Sequence, residues 1–369
     1  MYVPIMKNRD RELSAVSKLN ECFNESNIPL FEIIRDTYTP RYELDENNEY
    51  KYKIITTKRG NKIHRKIRQQ PGPDDINTLD IINEKMQNKK AFIDFFRFNP
   101  TSEYKKFDID KIQLSWNLNT DFHLYKNRLI GACAYANFIP TISIKQGYEM
   151  DPYELQTFCL DLQKNTVSMA IRITDDLVSA YQDVLNTMLR SSDFLLVDIR
   201  EQNLDSRAIE LSEIAQWHTI FKKLLLNSPR KADIKNGDYE VNMITNKIDN
   251  SVATRYTEYK FNGFGDFGGL KDNLPAGEGS NGMGAALGLL YNHSSNSFLS
   301  CLNPNTSDGM RGYRSVTQWI LQNLFLIDSA DVCPTIAEIR NFGSETKKFG
   351  NWGTWNELAL IRYIHQRNQ

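Results

Sequence analysis

The sequence of 369 residues contains no apolar run that approaches the roughly 20 residues needed to span a bilayer. Its first residues, MYVPIMKNRD, also lack the long apolar region of a signal peptide. An excess of one charge is missing as well, since 45 Lys and Arg face 46 Asp and Glu. We therefore predict a cytoplasmic protein with no membrane partner, in which any attraction to nucleic acid is local.

Several chemical signatures are also absent. The five cysteines are scattered without a C-x-x-C pair, which predicts reduced core residues, and the five histidines are isolated. No G-x-G-x-x-G follows the first apolar run, and neither GxxxxGK[ST] nor G-x-S-x-G occurs. The usual reasons to predict a nucleotide-binding open sheet, a serine hydrolase or a histidine metal site are therefore missing, and we predict no cofactor.

Short apolar runs alternate with helical patterns along the chain. Alternation of this kind is typical of a parallel sheet covered by helices, either doubly wound or closed into a barrel. Without a nucleotide motif we favour the barrel and predict one α/β domain over residues 1–369, a TIM-barrel-like (β/α)8 fold. Six strands are predicted at residues 2–7, 28–34, 91–98, 139–145, 167–174 and 194–200, a helix at 207–226, and the last two strands at 241–245 and 264–267.

Two segments interrupt the alternation. Residues 36–73 contain KYKIITTKRGNKIHRKIR, which predicts a basic hairpin inserted after strand 2. Residues 276–305 predict an extra hairpin near the C-terminus. The basic hairpin is either a site for nucleic acid or an acidic partner, or a solvated edge kept soluble by its lysines. The residues that we assign to such a site are Lys58, Arg59, Arg65 and Lys66.

Charged residues occur inside strands that should be almost wholly apolar. In a barrel such residues persist when they pair near the carboxyl ends of the strands, where barrel active sites lie. The alternative is an ion-pair network without a substrate. We predict catalytic or metal-binding carboxylates at Glu32, Asp94, Asp198 and Asp266, and anion-binding cations at Lys7, Arg97, Arg172, Arg200 and Arg255.

The stretch TRYTEYKFNGFGDFGGLKDNLP, residues 254–275, concentrates glycine, aromatic and charged residues. It predicts either a rigid loop that presents Asp266 at the barrel mouth, in salt-bridge reach of Arg172 or Arg200, or a tight glycine turn. Arg255 and Glu258 are three residues apart, which makes them neighbours on one helical turn.

The segments YVPIMKNRDREL, PLFEI, IDF, FGDFG and GNWGTWNELALIRYI, in this order from Tyr2 to Ile364, resemble the bacteriophage beta protein family. The resemblance implies a barrel-like fold and a role in toxin neutralisation or anti-phage defence, and it implies no catalytic residues. Two features depart from the family: the basic insertion at Lys51–Arg68, and Phe267 where tyrosine is more frequent.

Two hypotheses for function follow from these patterns. The first is a protein of a phage-related conflict system that acts through a partner encoded by a neighbouring gene. The second is a barrel hydrolase or lyase on a phosphate-bearing or nucleic-acid substrate, which requires the charged strand residues to converge on one pocket.

Overall fold

The computed structural model describes residues 1–57, 60–104, 106–277, 284–327, 333–342 and 348–368. The strands in these ranges are β1 (Tyr2–Lys7), β2 (Leu30–Ile33), β3 (Tyr52–Thr56), β4 (Lys62–Lys66), β5 (Ala91–Phe95), β6 (Phe138–Ile144), β7 (Ala170–Thr174), β8 (Phe194–Asp198), β9 (Lys222–Leu226), β10 (Met243–Thr245), β11 (Gly263–Asp266), β12 (Ala286–Asn292) and β13 (Ser297–Asn303). The α-helices in these ranges are α1 (Asp10–Lys18), α2 (Thr78–Met86), α3 (Gln113–Leu118), α4 (Phe122–Ala132), α5 (Pro152–Gln163), α6 (Gln182–Met188), α7 (Ala208–Ala215), α8 (Val252–Arg255), α9 (Tyr313–Gln322), α10 (Pro334–Asn341) and α11 (Trp352–Arg367).

Eight strands close a parallel barrel in the order β1, β2, β5, β6, β7, β8, β9 and β11, and β11 pairs again with β1. At least one helix separates each barrel strand from the next, because parallel neighbours need a crossover connection. The helix α11 follows the last strand and packs against α1. The predicted TIM-barrel-like (β/α)8 fold is confirmed.

The local patterns that predicted the elements have clear physical causes. In α5 the carboxylate of Asp151 accepts a 2.9 Å hydrogen bond from the Tyr153 amide, and Pro152 begins the helix. The buried face of this helix consists of residues at positions i, i+3, i+4 and i+7, namely Leu155, Phe158, Cys159 and Leu162. Barrel strands such as β5 and β6 are buried at every position, as expected for a sheet covered on both faces.

The seventh barrel strand differs from the prediction. A single helix over residues 207–226 is wrong, because α7 ends at Ala215 and Lys222–Leu226 forms β9 between β8 and β11. Three consecutive leucines, 224 to 226, are fully buried, which is typical of a strand covered on both faces rather than of a helix with one buried side.

The predicted seventh strand at residues 241–245 lies outside the barrel. It forms β10, Met243–Thr245, which pairs antiparallel with β13. Together β10, β13 and β12 form a three-stranded sheet that packs against α9 and α11. The eighth strand at residues 264–267 is confirmed as β11, and the predicted extra hairpin as β12 and β13.

The basic hairpin inserted after β2 is confirmed as β3 and β4, which pair antiparallel with Ile55 opposite Ile63. We call residues 36–73 the arm. Lys58 and Arg59, in the connection between the two strands, lie outside the described residues.

No helix within the described ranges is long and apolar enough to cross a bilayer.

Candidate functional site

The carboxyl ends of the barrel strands carry a buried charge cluster centred on Arg172 of β7. Its Nη1 lies 2.7 Å from Glu32 Oε1 and 3.0 Å from Asp94 Oδ2, and its Nη2 lies 2.7 Å from Asp198 Oδ2. Burial alone would lower the pKa of Arg172, but these three carboxylates raise it well above its ordinary value. The guanidinium therefore stays charged and holds together four barrel strands.

Lys7, at the end of β1, extends this cluster. Its Nζ lies 2.6 Å from Glu32 Oε2 and 2.7 Å from Asp272 Oδ1, which also accepts a 2.9 Å hydrogen bond from the Tyr104 hydroxyl. Burial opposes the charge of Lys7, yet Asp272 and Glu32 raise its pKa. The register explains the contact, because Lys7 stands opposite Glu32 in the pairing of β1 with β2.

A second layer of charges covers the cluster at the rim of the barrel. Arg200 Nη1 lies 2.5 Å from Glu103 Oε1, and Lys145 Nζ lies 3.0 Å from Glu103 Oε2. Arg200 Nη2 is 3.6 Å from Asp272 Oδ2, so that the two layers are connected. Burial lowers the pKa of Lys145 to about 8, although Glu103 opposes the change.

Between these layers lies a cavity of about 20 Å³, lined by Asp94, Arg97, Lys145, Arg172, Asp198 and Arg200 among others. This volume suits a water molecule and nothing much larger. Asp94 accepts a 2.7 Å hydrogen bond from Ser143, while its other oxygen, Oδ1, is buried and has no hydrogen-bond partner in the described part of the chain. Burial raises the pKa of Asp94, and Arg172 only partly offsets this.

The structure thus brings most of the predicted site residues together. Lys7, Glu32, Asp94, Arg172, Asp198 and Arg200 form one chain of ion pairs. Arg97 also lines the cavity, where its guanidinium lies 3.8 Å from the centre of the Tyr125 ring and donates a 2.9 Å hydrogen bond to the Ser143 carbonyl.

Asp266 is not part of this cluster, and its predicted salt bridge with Arg172 or Arg200 is wrong. Its carboxylate accepts hydrogen bonds from the hydroxyls of Tyr2 (3.0 Å) and Tyr363 (2.6 Å) and from the Gly268 amide (2.8 Å). Side chains alternate along a strand, and Asp266 shares the outer side of the barrel with Tyr2. Burial raises the pKa of Asp266. The glycine stretch therefore contains strand β11 and, directly after it, a tight turn at Gly268 and Gly269 that this carboxylate anchors.

The remaining predicted residues lie elsewhere. Arg255 stands on α8, where it pairs with Asp205 (2.8 Å) and with Glu258 (3.0 Å), as the spacing of three residues predicts. It does not line the mouth cavity. Arg65 and Lys66 lie on β4 of the arm, and Lys66 Nζ is 3.3 Å from the centre of the Tyr50 ring.

Sequence reasoning missed Glu103, Tyr104, Lys145 and Asp272. Lys145 ends the predicted strand at 139–145, so its position at a strand end was a usable signal. The others lie in loops, where no periodicity indicates which way a side chain points.

A carboxylate metal site, an alternative left open by the sequence, finds no support. Among the described residues, no group of three or more His, Cys, Asp and Glu is arranged to hold a metal ion. The three carboxylates that converge, Glu32, Asp94 and Asp198, surround the guanidinium of Arg172, which occupies the place of a cation.

Comparison with known families agrees with the order of motifs along the chain. The sequence model described as Beta protein matches residues 2–368. The chain belongs to the Beta protein family. This confirms the predicted resemblance and supports a phage-related protein. No curated protein and no solved structure matches the chain.

Proposed function

We propose that this Beta protein family member acts in phage-related conflict, in anti-phage defence or toxin neutralisation, by binding a partner protein encoded by a neighbouring gene. The observation that supports binding of a partner over catalysis is the small, charge-paired cavity at the barrel mouth, where the carboxyl ends of the strands meet. Three of the four cations that line the cavity of about 20 Å³, Lys145, Arg172 and Arg200, are paired with carboxylates. The fourth, Arg97, lies against the Tyr125 ring and donates to the Ser143 carbonyl. The cavity leaves no space for a substrate larger than a water molecule.

The arm supplies a surface suited to such a partner. Its apolar side chains are unusually exposed, with Tyr52 at 54%, Ile54 at 61% and Ile63 at 44%. Tyr52 and Ile54 lie on one face of the hairpin and Ile63 lies on the other, so that both faces of the arm offer exposed apolar groups of the kind that mark an interaction site. Eight Lys and Arg and no Asp or Glu lie between residues 51 and 68. The partner surface that fits is apolar at its centre and acidic around it.

A barrel hydrolase or lyase is the second candidate, favoured by the convergence of Glu32, Asp94 and Asp198 at the carboxyl ends of the strands. Asp94 with a raised pKa and Lys145 with a lowered one line the same cavity, as acid and base groups do in active sites. A substrate reaches them only if the ion pairs of Glu103 with Arg200 and Lys145 open.

Phage plating on hosts that carry the gene with its neighbours separates the two candidates. We expect the double substitution Ile54→Ser and Ile63→Ser on the arm to abolish protection. Arg200→Gln at the mouth should leave protection intact. Ile209→Ser, at a residue 76% exposed on α7, serves as the control for loss of a surface apolar group.

The reverse pattern, in which Arg200→Gln abolishes protection and the arm variant keeps it, would establish the enzyme candidate instead. Protection that is absent even with the wild-type gene and its neighbours would contradict the conflict role. Thermal melting of each variant shows whether a loss of protection reflects unfolding.

A further inference from the structure

A groove of about 530 Å³ lies apart from the mouth cavity and shares no lining residue with it. It is bounded by the loops that follow β1, β9 and β11 and by the first turns of α1 and α11. A volume of this size is typical of sites for small molecules. The groove takes no part in the function proposed above.

The charges that line the groove are unequal. Six are cations and three are carboxylates. Each carboxylate is already engaged in an ion pair, Asp10 with Arg35, Glu12 with Arg9, and Glu357 with Arg11. The excess positive charge resides on the other cations, Lys111, Arg230 and Lys271, of which only Lys111 has an ion pair among the described residues.

Arg230 is the more deeply placed of the two cations without a carboxylate. It is 4% exposed, and its guanidinium donates hydrogen bonds to the Tyr239 hydroxyl (3.0 Å), the Gly269 carbonyl (3.1 Å) and Asn236 Oδ1 (3.2 Å). All three partners are neutral. A buried cation without a counter-ion is costly to fold, and an anion bound in the groove would supply the missing charge.

Lys271 resembles Arg230 in that its hydrogen-bond partners are neutral. Its Nζ donates hydrogen bonds to the carbonyls of Ala232 and Ile234, and it forms no ion pair with a described carboxylate. Burial lowers the pKa of Lys271 and the nearby charge of Arg230 lowers it further, while the carboxylates of Asp233, Asp238 and Glu201 only partly offset this. The repulsion between these two cations is a second reason for an anion to bind between them.

Trp352 and two helix N-termini also border the groove. Trp352 lines it, and its buried indole Nε1 has no hydrogen-bond partner among the described residues. α1 and α11 pack side by side, and residues of the first turns of both line the groove. Helix N-termini carry partial positive charge and free amides, which favours an anion.

We propose that this groove binds a phosphate-bearing small molecule of nucleotide size, with Arg230 and Lys271 on the phosphate and Trp352 Nε1 as an additional donor. Paired cations and helix N-termini match the several oxygens of a phosphate group. The volume exceeds what a single phosphate needs, and the indole of Trp352 offers an aromatic surface to the rest of the ligand.

Calorimetric titration with inorganic pyrophosphate and with ADP tests the proposal. We expect both to bind the full-length protein at low salt, and we expect Lys271→Gln and Trp352→Phe each to weaken affinity about tenfold, the effect of losing one hydrogen bond to a charged group. Arg230→Gln should abolish binding. Because Arg230 is buried, thermal melting must accompany that variant.

Two matched controls make the outcome decisive. Lys231 is an exposed cation next to Arg230 in the sequence, and it does not line the groove. Lys231→Gln therefore removes a charge near the groove but outside it. Arg200→Gln removes a charge from the cluster at the barrel mouth. Both should bind both probes as the wild type does. If neither pyrophosphate nor ADP binds at millimolar concentration, or if Lys231→Gln weakens binding as much as Lys271→Gln, the groove is not the site. Tighter binding of ADP than of pyrophosphate identifies the ligand as a nucleotide; equal binding identifies the phosphates as sufficient.

Discussion

The hydroxyl of Tyr363 donates a 2.6 Å hydrogen bond to the carboxylate of Asp266, which joins the last helix of the chain to the last strand of the barrel. The other oxygen of Asp266 accepts from Tyr2 on β1, so one buried side chain ties both ends of the chain at the point where the barrel closes. Asp266 is therefore a structural anchor.

Replacing this anchor should reduce stability. Asp266→Ala removes the acceptor from two buried hydroxyls and one amide, and we expect a loss of about 3 kcal/mol in the free energy of unfolding. Urea unfolding measures it. Tyr363→Phe, which leaves the bond from Tyr2 intact, should cost less. Equal stability of Asp266→Ala and the wild type would show that the bonds contribute nothing.

The glycines of β11 should be required for close packing. A Cβ on Gly265 would lie 2.5 Å from the Val3 carbonyl oxygen and 2.6 Å from Leu226 Cδ2, so Gly265→Ala should strongly destabilise the barrel. Gly131 lies on α4 with nothing within 4 Å of a Cβ, and Gly131→Ala should stabilise the protein by up to about 1 kcal/mol. Thermal melting of both variants checks the contrast. Similar melting temperatures would contradict it.

The central cation of the mouth should matter more than any exposed charge. Arg172→Met leaves Glu32, Asp94 and Asp198 buried together without their shared partner, and we expect a loss of about 3–5 kcal/mol. Arg255→Met, at a solvent-exposed ion pair, should cost far less. Chemical denaturation of the two variants gives the comparison, and equal losses would refute the importance of the network.

The lowered pKa of Lys145 predicts a specific dependence on pH. Its pKa falls from the ordinary 10.5 to about 8 in the folded protein. Between these values the unfolded chain holds a proton that the folded chain has lost, so the contribution of Lys145 to stability rises with pH. We expect the stability of the wild type relative to Lys145→Met to increase between about pH 8 and pH 10.5. Parallel curves for the two proteins would argue against the shift.

Binding of nucleic acid by the arm remains a prediction, and salt tests it. If the basic residues of the arm hold phosphates, affinity for a DNA duplex should fall steeply as salt rises, and changing Lys58, Arg59, Arg65 and Lys66 together to Ala should weaken binding and flatten the slope. Unchanged affinity in this variant would exclude the arm as a nucleic-acid site and leave the partner protein as its ligand.

Much of the fold could be predicted because local patterns encode it. The six first barrel strands, the arm hairpin and the Asp151-Pro152 helix start each depend on residues close together in the sequence. Charges inside strands likewise indicated Lys7, Glu32 and Arg172 as members of one cluster, since a buried charge must find a partner and the barrel mouth is where strand ends meet.

The tertiary structure alone decided the rest. The local sequence around leucines 224 to 226 is compatible with a helix as well as with a strand. These leucines form β9 because the closed barrel requires a strand between β8 and β11. Asp266 accepts a hydrogen bond from Tyr363, which is 97 positions away in the sequence, and Asp272 accepts one from Lys7, which is 265 positions away. Such pairings depend on strand register and loop paths set by the closure of the whole barrel, and no short stretch of sequence contains that information.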